Sequence, residues 1–150
     1  MANIFNSDFR DFISSLNDQQ VRYILVGGFS VILHGYPRTT GDMDIWVERT
    51  PDNYKKLKKA FEQFGMPVFD MTEDNFLKHP VWDVFTFGKP PVAIDVMVRV
   101  QGLDFEKAYD RSVVFSDDDL IIRTIHKDDL IQAKKSSGRA KDQNDLENLQ

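Results

Sequence analysis

With 150 residues, 41% of them hydrophobic and 29% charged, the chain has enough apolar material for one globular domain with a real core and lies outside the disordered class. It contains no cysteine, which excludes disulfides, thiolate nucleophiles and Cys-bound zinc together. A net charge of −5 argues against nucleic-acid binding through an overall positive field, though not against a local basic patch; with no N-terminal apolar segment of signal-peptide or membrane-span length, the cytoplasm is the expected compartment and a membrane is not an expected partner.

In chain order, Phe9, Phe12, Ile13 and Leu16 recur at i, i+3, i+4 and i+7, which predicts an amphipathic helix capped by Asn6 or Ser7, ending near Asn17-Asp18 and packed on a sheet. Residues 22–28 (RYILVGG) form a short apolar run ending in two glycines, and residues 29–34 have the density of a short buried helix. A strand, a glycine turn and a helix start are implied. Met43, Ile45 and Val47 then alternate with Asp42, Asp44, Trp46 and Glu48, the pattern of a strand with both aspartates on one face. Thr50 precedes Pro51, the positions Tyr54, Leu57, Phe61 and Phe64 line one helical face, and Gly65 lies just past its end. Residues 81–87 and 93–100, separated by Gly88-Lys89-Pro90-Pro91, read as an antiparallel hairpin whose prolines keep that loop from extending either strand. On its second arm Ile94, Val96, Val98 and Val100 share a face, leaving Asp95 and Arg99 on the other.

A short helix over 105–109 and short strands over 112–115 and 120–123 follow, the strands flanking the turn Ser116-Asp117-Asp118-Asp119. That acidic run lacks the spacing of a calcium loop and reads as a solvated turn without a role. Helices over 127–135 and 139–149, joined by Ser136-Ser137-Gly138, close the chain. No repeat or linker divides it, so the expectation is a single α/β (α+β) domain over 1–150, a mixed sheet flanked by helices with two helices at the C-terminus.

Gly27 and Gly28 are followed after thirteen residues by Asp42-Met43-Asp44 and later by Asp95. Glycines at a strand-to-helix junction let the backbone approach a ligand, the first free N–H groups of the helix favour an anion, and Ser30 could add a hydroxyl donor. Three carboxylates on neighbouring strands repel one another unless a cation neutralises them, and Mg²⁺ takes oxygen ligands of this kind, completed by water and substrate phosphates. Two such ions about 4 Å apart can clamp the attacking and leaving oxygens of a phosphoryl displacement. On this reading the glycine turn holds a triphosphate, Asp42 and Asp44 hold metal, and Asp95 is both a ligand and the base that accepts the attacking hydroxyl's proton.

The segments LVGG, DMDI and AIDVMV, with Arg38-Thr39-Thr40 just before the acidic pair, resemble the pattern of nucleotidyltransferases of the polymerase-beta superfold. The ending LIQAKKSSGRAKDQNDLENL is similar to that of small bacterial members related to abortive-infection (AbiEii-like) toxins and aminoglycoside nucleotidyltransferases, so the resemblance runs from about Val21 to the C-terminus. It implies a mixed sheet flanked by helices, Mg²⁺ or Mn²⁺, a nucleoside triphosphate (NTP) donor and release of pyrophosphate on transfer to a hydroxyl. By position it implies Asp42, Asp44 and Asp95 as the metal-binding carboxylates and Gly27, Gly28 and Ser30 as the phosphate turn.

Other residues carry two readings each. Arg38, in the loop before the acidic pair, is placed for a phosphate or base contact. Lys134, Lys135, Arg139 and Lys141 cluster near a helix end, where lysines are commonly surface residues favoured by the dipole. Alternatively Lys134, Arg139 and Lys141 bind triphosphate oxygens or RNA, toward which the lysine-rich ending of related transferases points. Asp142 and Arg139, three apart, could form an ion pair. Trp46 could stack on a base or pack on a neighbouring element. His34, His79 and His126 lack zinc-ligand spacing and read as helix-end or core residues.

The leading functional reading is an Mg²⁺-dependent transfer of NMP to a hydroxyl of RNA such as tRNA, of a protein or of a small molecule. The alternative is a non-catalytic module that binds nucleotide or a partner, for instance in a toxin–antitoxin pair. Because the chain has little room for an acceptor-recognition domain, a homodimer or a cognate partner protein is expected to supply that surface. A phosphohydrolase is disfavoured by the lack of a His-Asp metal motif.

Overall fold

A computed structural model describes residues 6–36, 41–89, 92–137 and 140–149. The first half runs α1 (Ser7–Asp18), β1 (Tyr23–Val26), α2 (Gly27–Leu33), β2 (Asp42–Val47), α3 (Pro51–Phe64) and α4 (Glu73–Lys78). The second half runs β3 (Val84–Lys89), β4 (Val92–Met97), α5 (Phe105–Arg111), β5 (Val113–Asp117), β6 (Leu120–Thr124), α6 (Lys127–Ser137) and α7 (Ala140–Leu149). The strands form one mixed sheet in the order β3-β4-β2-β1-β6-β5. β2 is antiparallel to β1 and parallel to β4, β6 is parallel to β1, and the edge strands β3 and β5 are antiparallel to β4 and β6.

Strand alternation divides the core in two. Tyr23, Leu25, Met43, Ile45, Val47, Ile94 and Val96 point to one face, where they meet Phe9, Phe12, Ile13 and Leu16 of α1 and Tyr54, Leu57 and Phe61 of α3. The other face carries Ile24, Val26 and Trp46, covered by Ala108 of α5, Leu130 of α6 and Leu149 of α7. Burying a side chain of this size contributes about 1.5–3 kcal/mol, so the two layers hold the sheet between them.

The helix ends follow their cap chemistry. Asn6 accepts the Phe9 N–H at 2.9 Å to start α1, and Thr50 accepts the Asn53 N–H at 3.2 Å to start α3, which ends at Gly65 with φ +90°. Buried Asn53 accepts the Arg22 N–H at 2.8 Å and donates to the carbonyls of Arg22 and Glu48, pinning the start of α3 to β1 and to the exit of β2.

Three expectations are corrected. β3 starts at Val84, not Val81, because the His79 imidazole Nδ1 accepts the N–H groups of Val81 and Trp82 at 3.1 and 2.8 Å, diverting them from a strand ladder. β3 also continues through Gly88 and Lys89, which pair with Ala93 and Val92, and Pro90-Pro91 lies outside the described residues. α4 was not expected because only Phe76 of its six residues is buried, too few for an apolar period, although Thr72 caps it and Glu73 and Asp74 fill its first turn. Asp117 is not a solvated turn residue: it is 2% exposed and accepts from the Arg10 guanidinium at 2.7 Å, and only Asp118-Asp119 connect β5 to β6.

Candidate active site

β1, β2 and β4 assemble the acidic residues into one patch. Val26 lies opposite Asp44 across the β1–β2 ladder, and Asp44 lies opposite Asp95 across the β2–β4 ladder. Adjacent strands are about 4.8 Å apart, so Asp44 and Asp95 stand side by side on one face, while Asp42 lies about 7 Å further along β2. Asp42 is exposed, Asp44 and Asp95 are half-buried, and Trp46, next on the same face, is 2% exposed. Trp46 packs edge-on against Phe105, ring centroids 5.2 Å apart, and is a wall of the core rather than a platform for a base.

Gly27 closes the patch from the β1 side. Its φ is +70°, and a Cβ there would overlap Asp44 Oδ2 and lie 3.0 Å from Asp44 Cγ. Only glycine lets the chain turn from β1 into α2 directly against this carboxylate. Gly28 is buried in the first turn of α2. Ser30 lies beneath that turn, fully buried, its Oγ 2.8 Å from the Thr124 hydroxyl, which is itself 3.0 Å from the Leu25 carbonyl. The Ser30 hydroxyl therefore ties α2 to β6, which corrects the expectation that it faces a ligand; its position in the turn stands.

On the far side, Thr86 of β3 pairs with Asp95 and its hydroxyl donates to Asp95 Oδ1 at 2.7 Å. Between the sheet and α6 lies a cleft of about 230 Å³ lined by Gly27, Asp44, Met97, Arg99, Leu130 and Lys134 among others. Lys134 is not a surface lysine. Its side chain is 7% exposed, and its Nζ lies 2.9 Å from Asp145 Oδ2 of α7, a carboxylate 2% exposed. Arg38 and Arg139 lie outside the described residues, as does the side chain of Lys141 and with it the expected Asp142–Arg139 pair. The histidines have local roles: His34 Nε2 lies 2.8 Å from the Ile125 carbonyl, His79 caps α4, and His126 Nδ1 accepts the Asp128 N–H at 3.0 Å.

The donor set fits a hard cation. All candidate ligands are carboxylate oxygens, and among the described residues they do not converge into a closed cage of three side chains. Mg²⁺ keeps several waters and is held through one or two carboxylates together with substrate phosphates, so an open pair with a third acid alongside suits it.

The sequence pattern of the family described as "Nucleotidyltransferase of unknown function (DUF6036)" matches residues 7–150. The chain belongs to this nucleotidyltransferase family. No curated protein matches it. Among solved structures, it is similar to LnuA, a lincosamide antibiotic adenylyltransferase with lincomycin bound, at 17% identity and a TM-score of 0.57, over 98% of this chain and 97% of that one. It is also similar to TM1012 of Thermotoga maritima, a protein assigned to the nucleotidyltransferases, at 15% identity and a TM-score of 0.57, over 93% and 88% of the two chains. At these identities the likeness is one of fold, and the fold is the expected mixed sheet flanked by helices.

Several residues around this candidate site escaped the sequence reading. The alternation of β3 alone would have put Thr86 on the face of Asp95 once the hairpin register was known. Met97, Leu130 and the Lys134–Asp145 pair depend on how α6 and α7 fold back over the sheet, for which no local pattern exists.

Proposed function

We propose that the chain is an Mg²⁺-dependent nucleotidyltransferase, a single domain that moves NMP from an NTP to a hydroxyl of an RNA, protein or small-molecule acceptor. The observation that carries this reading is the in-register pair Asp44–Asp95 with the Gly27 turn seated against Asp44. The turn brings backbone within reach of a triphosphate, and Lys134 offers a cation from the opposite wall of the cleft. Arg38, Arg139 and Lys141 are proposed as further triphosphate contacts. Mg²⁺ on Asp42, Asp44 and Asp95 would neutralise charge developing on the phosphate oxygens. Asp95 takes the proton of the acceptor hydroxyl as its oxygen bonds to the α-phosphorus, the bond from that phosphorus to the bridging oxygen breaks, and pyrophosphate leaves. The kinship suggested by the C-terminal segment, with abortive-infection and aminoglycoside-modifying enzymes of the cytoplasm, belongs to the same proposal.

The test is transfer of label from α-³²P NTPs with Mg²⁺ into the RNA, protein and small-molecule fractions of a bacterial extract. Label that enters one fraction with the parent and is lost in folded Asp44→Ala and Asp95→Asn supports the reading and names the acceptor class. Equal labelling by the variants overturns it.

A second reading, a module that binds nucleotide or a partner without transfer, draws on the free edge of the sheet. There Phe69, Val81, Trp82 and Val84 are exposed beside β3, whose outer edge has no strand partner among the described residues. NTP binding without pyrophosphate release would favour it.

A further inference from the structure

Resting on the reading of Asp95 as a working carboxylate, we propose that Thr86 is a positioning residue that fixes the orientation of Asp95. Asp95 is half-buried on a strand whose neighbours Ile94 and Val96 point into the opposite core, so its backbone is held while its own torsions are not held by packing alone. The restraint comes from β3. Thr86 is the direct cross-strand partner of Asp95, and its Oγ1 donates to Asp95 Oδ1 at 2.7 Å, a full-strength hydroxyl hydrogen bond. A β-branched residue on a paired strand is stiff at χ1, so the donor is itself fixed in place. With Oδ1 engaged, Oδ2 is the oxygen left for a cation or for the acceptor's proton. Groups that orient a ligating carboxylate in this way typically change metal affinity or activity by about 10–100-fold when removed.

Position adds to the argument. In the order β3-β4-β2-β1 the Gly27 turn lies at one end of the site and Thr86 at the other, with Asp95 and Asp44 between them. In an in-line displacement the leaving pyrophosphate and the attacking hydroxyl lie on opposite sides of the phosphorus, so a triphosphate tail at the turn directs the acceptor to the Asp95 side. The hydroxyl thus orients Asp95 from the side on which an acceptor arrives.

The test compares the parent, Thr86→Val, Thr86→Ser, Asp95→Asn and the double variant Thr86→Val/Asp95→Asn. Thr86 is exposed and valine has the same shape and strand preference, so these proteins should fold. Two quantities are read: steady-state label transfer, and Mn²⁺ affinity without nucleotide by electron paramagnetic resonance. Thr86→Val should lower kcat about 10–100-fold with the KM for NTP nearly unchanged and should weaken Mn²⁺ binding about tenfold or more. Thr86→Ser, which keeps the hydroxyl without the β-branch, should restore most of both, and the valine should add nothing in the Asp95→Asn background. Parental kcat or parental Mn²⁺ affinity in Thr86→Val overturns the proposal, as does failure of serine to rescue or a full additional loss in the double variant. If Asp95→Asn itself keeps parental transfer and Mn²⁺ binding, the reading of Asp95 has failed rather than the role of Thr86.

Discussion

Replacing Gly27 by alanine tests the link between the turn and Asp44. At φ +70° the residue occupies the left-handed region, where an L side chain costs about 1–2 kcal/mol. The added Cβ would lie 3.0 Å from Asp44 Cγ. Carbon atoms pack at about 3.5–4.0 Å and the overlap with Oδ2 is deeper still, so the carboxylate must retreat, or the turn must shift, by about 0.5–1 Å or more. A displacement of that size at reacting groups lowers rates by about a hundredfold. Gly65→Ala is the matched control: its φ is +90°, yet nothing lies within 4 Å of the added Cβ, so it carries the backbone strain without the contact. Gly65→Ala should lose about 1–2 kcal/mol in urea denaturation and Gly27→Ala about 1–3 kcal/mol more for the added contact, while only Gly27→Ala should lose about two orders of magnitude in kcat for label transfer. A Gly27→Ala enzyme with parental kcat, or a Gly65→Ala enzyme equally impaired, would refute the reasoning.

The double variant Lys134→Gln/Asp145→Asn removes the cation of the cleft wall while keeping its buried partner uncharged, and should weaken NTP binding about 10-fold or more, read as Kd by titration, since a charge-assisted hydrogen bond contributes about 1.5–3 kcal/mol. Arg10→Met strands the buried Asp117 carboxylate and should destabilise the fold by about 3–5 kcal/mol in urea melts, although Asp117, on edge strand β5, is far from the carboxylate patch on β2 and β4 in the sheet order. Burial pushes the Tyr23 phenol up to about 12, against about 10 when unfolded. Its contribution to stability is therefore complete below pH 10 and is lost as the pH rises toward 12, amounting to about 3 kcal/mol. Tyr54 is raised in the same direction by burial and by Glu73. Tyr23→Phe should flatten this alkaline limb in denaturation followed from pH 9 to 12, and an unchanged limb would assign the loss elsewhere.

Legibility in the sequence followed the range of the interactions. α1 and α3 were readable because cap and apolar stripe are local to the elements they define, and in α3 the terminating Gly65 is as well. The face shared by Asp42 and Asp44 was readable because strand alternation is local. Asp117 was misread because its partner Arg10 lies 107 residues away, and an acidic run beside a turn looks solvated until that contact exists. Ser30 was misread for a related reason. A hydroxyl beside a glycine turn looks like a phosphate donor, but the helix rotates it inward onto Thr124, 94 residues on. The start of β3 depended on a histidine acting as an acceptor for backbone groups, which composition cannot indicate.

The sharper consequence of the fold lies in how one sheet face serves two ends. Along β2 the residues pass from exposed Asp42 through half-buried Asp44 to buried Trp46, so the face changes from wet to dry within five residues. The apolar cluster that begins at Trp46 includes Leu130 of α6 and Leu149 of α7. Residues four apart share a helix face, and Lys134 follows Leu130 by four while Asp145 precedes Leu149 by four. Docking the two leucines on the dry end thus swings Lys134 and Asp145 toward each other, and their 2.9 Å contact lies where α6 borders the cleft. The closing helices therefore use the apolar half of the face as an anchor and deliver a fixed cation opposite the carboxylate half. This is why a lysine that looks like surface in the sequence is among the most constrained charges in the molecule.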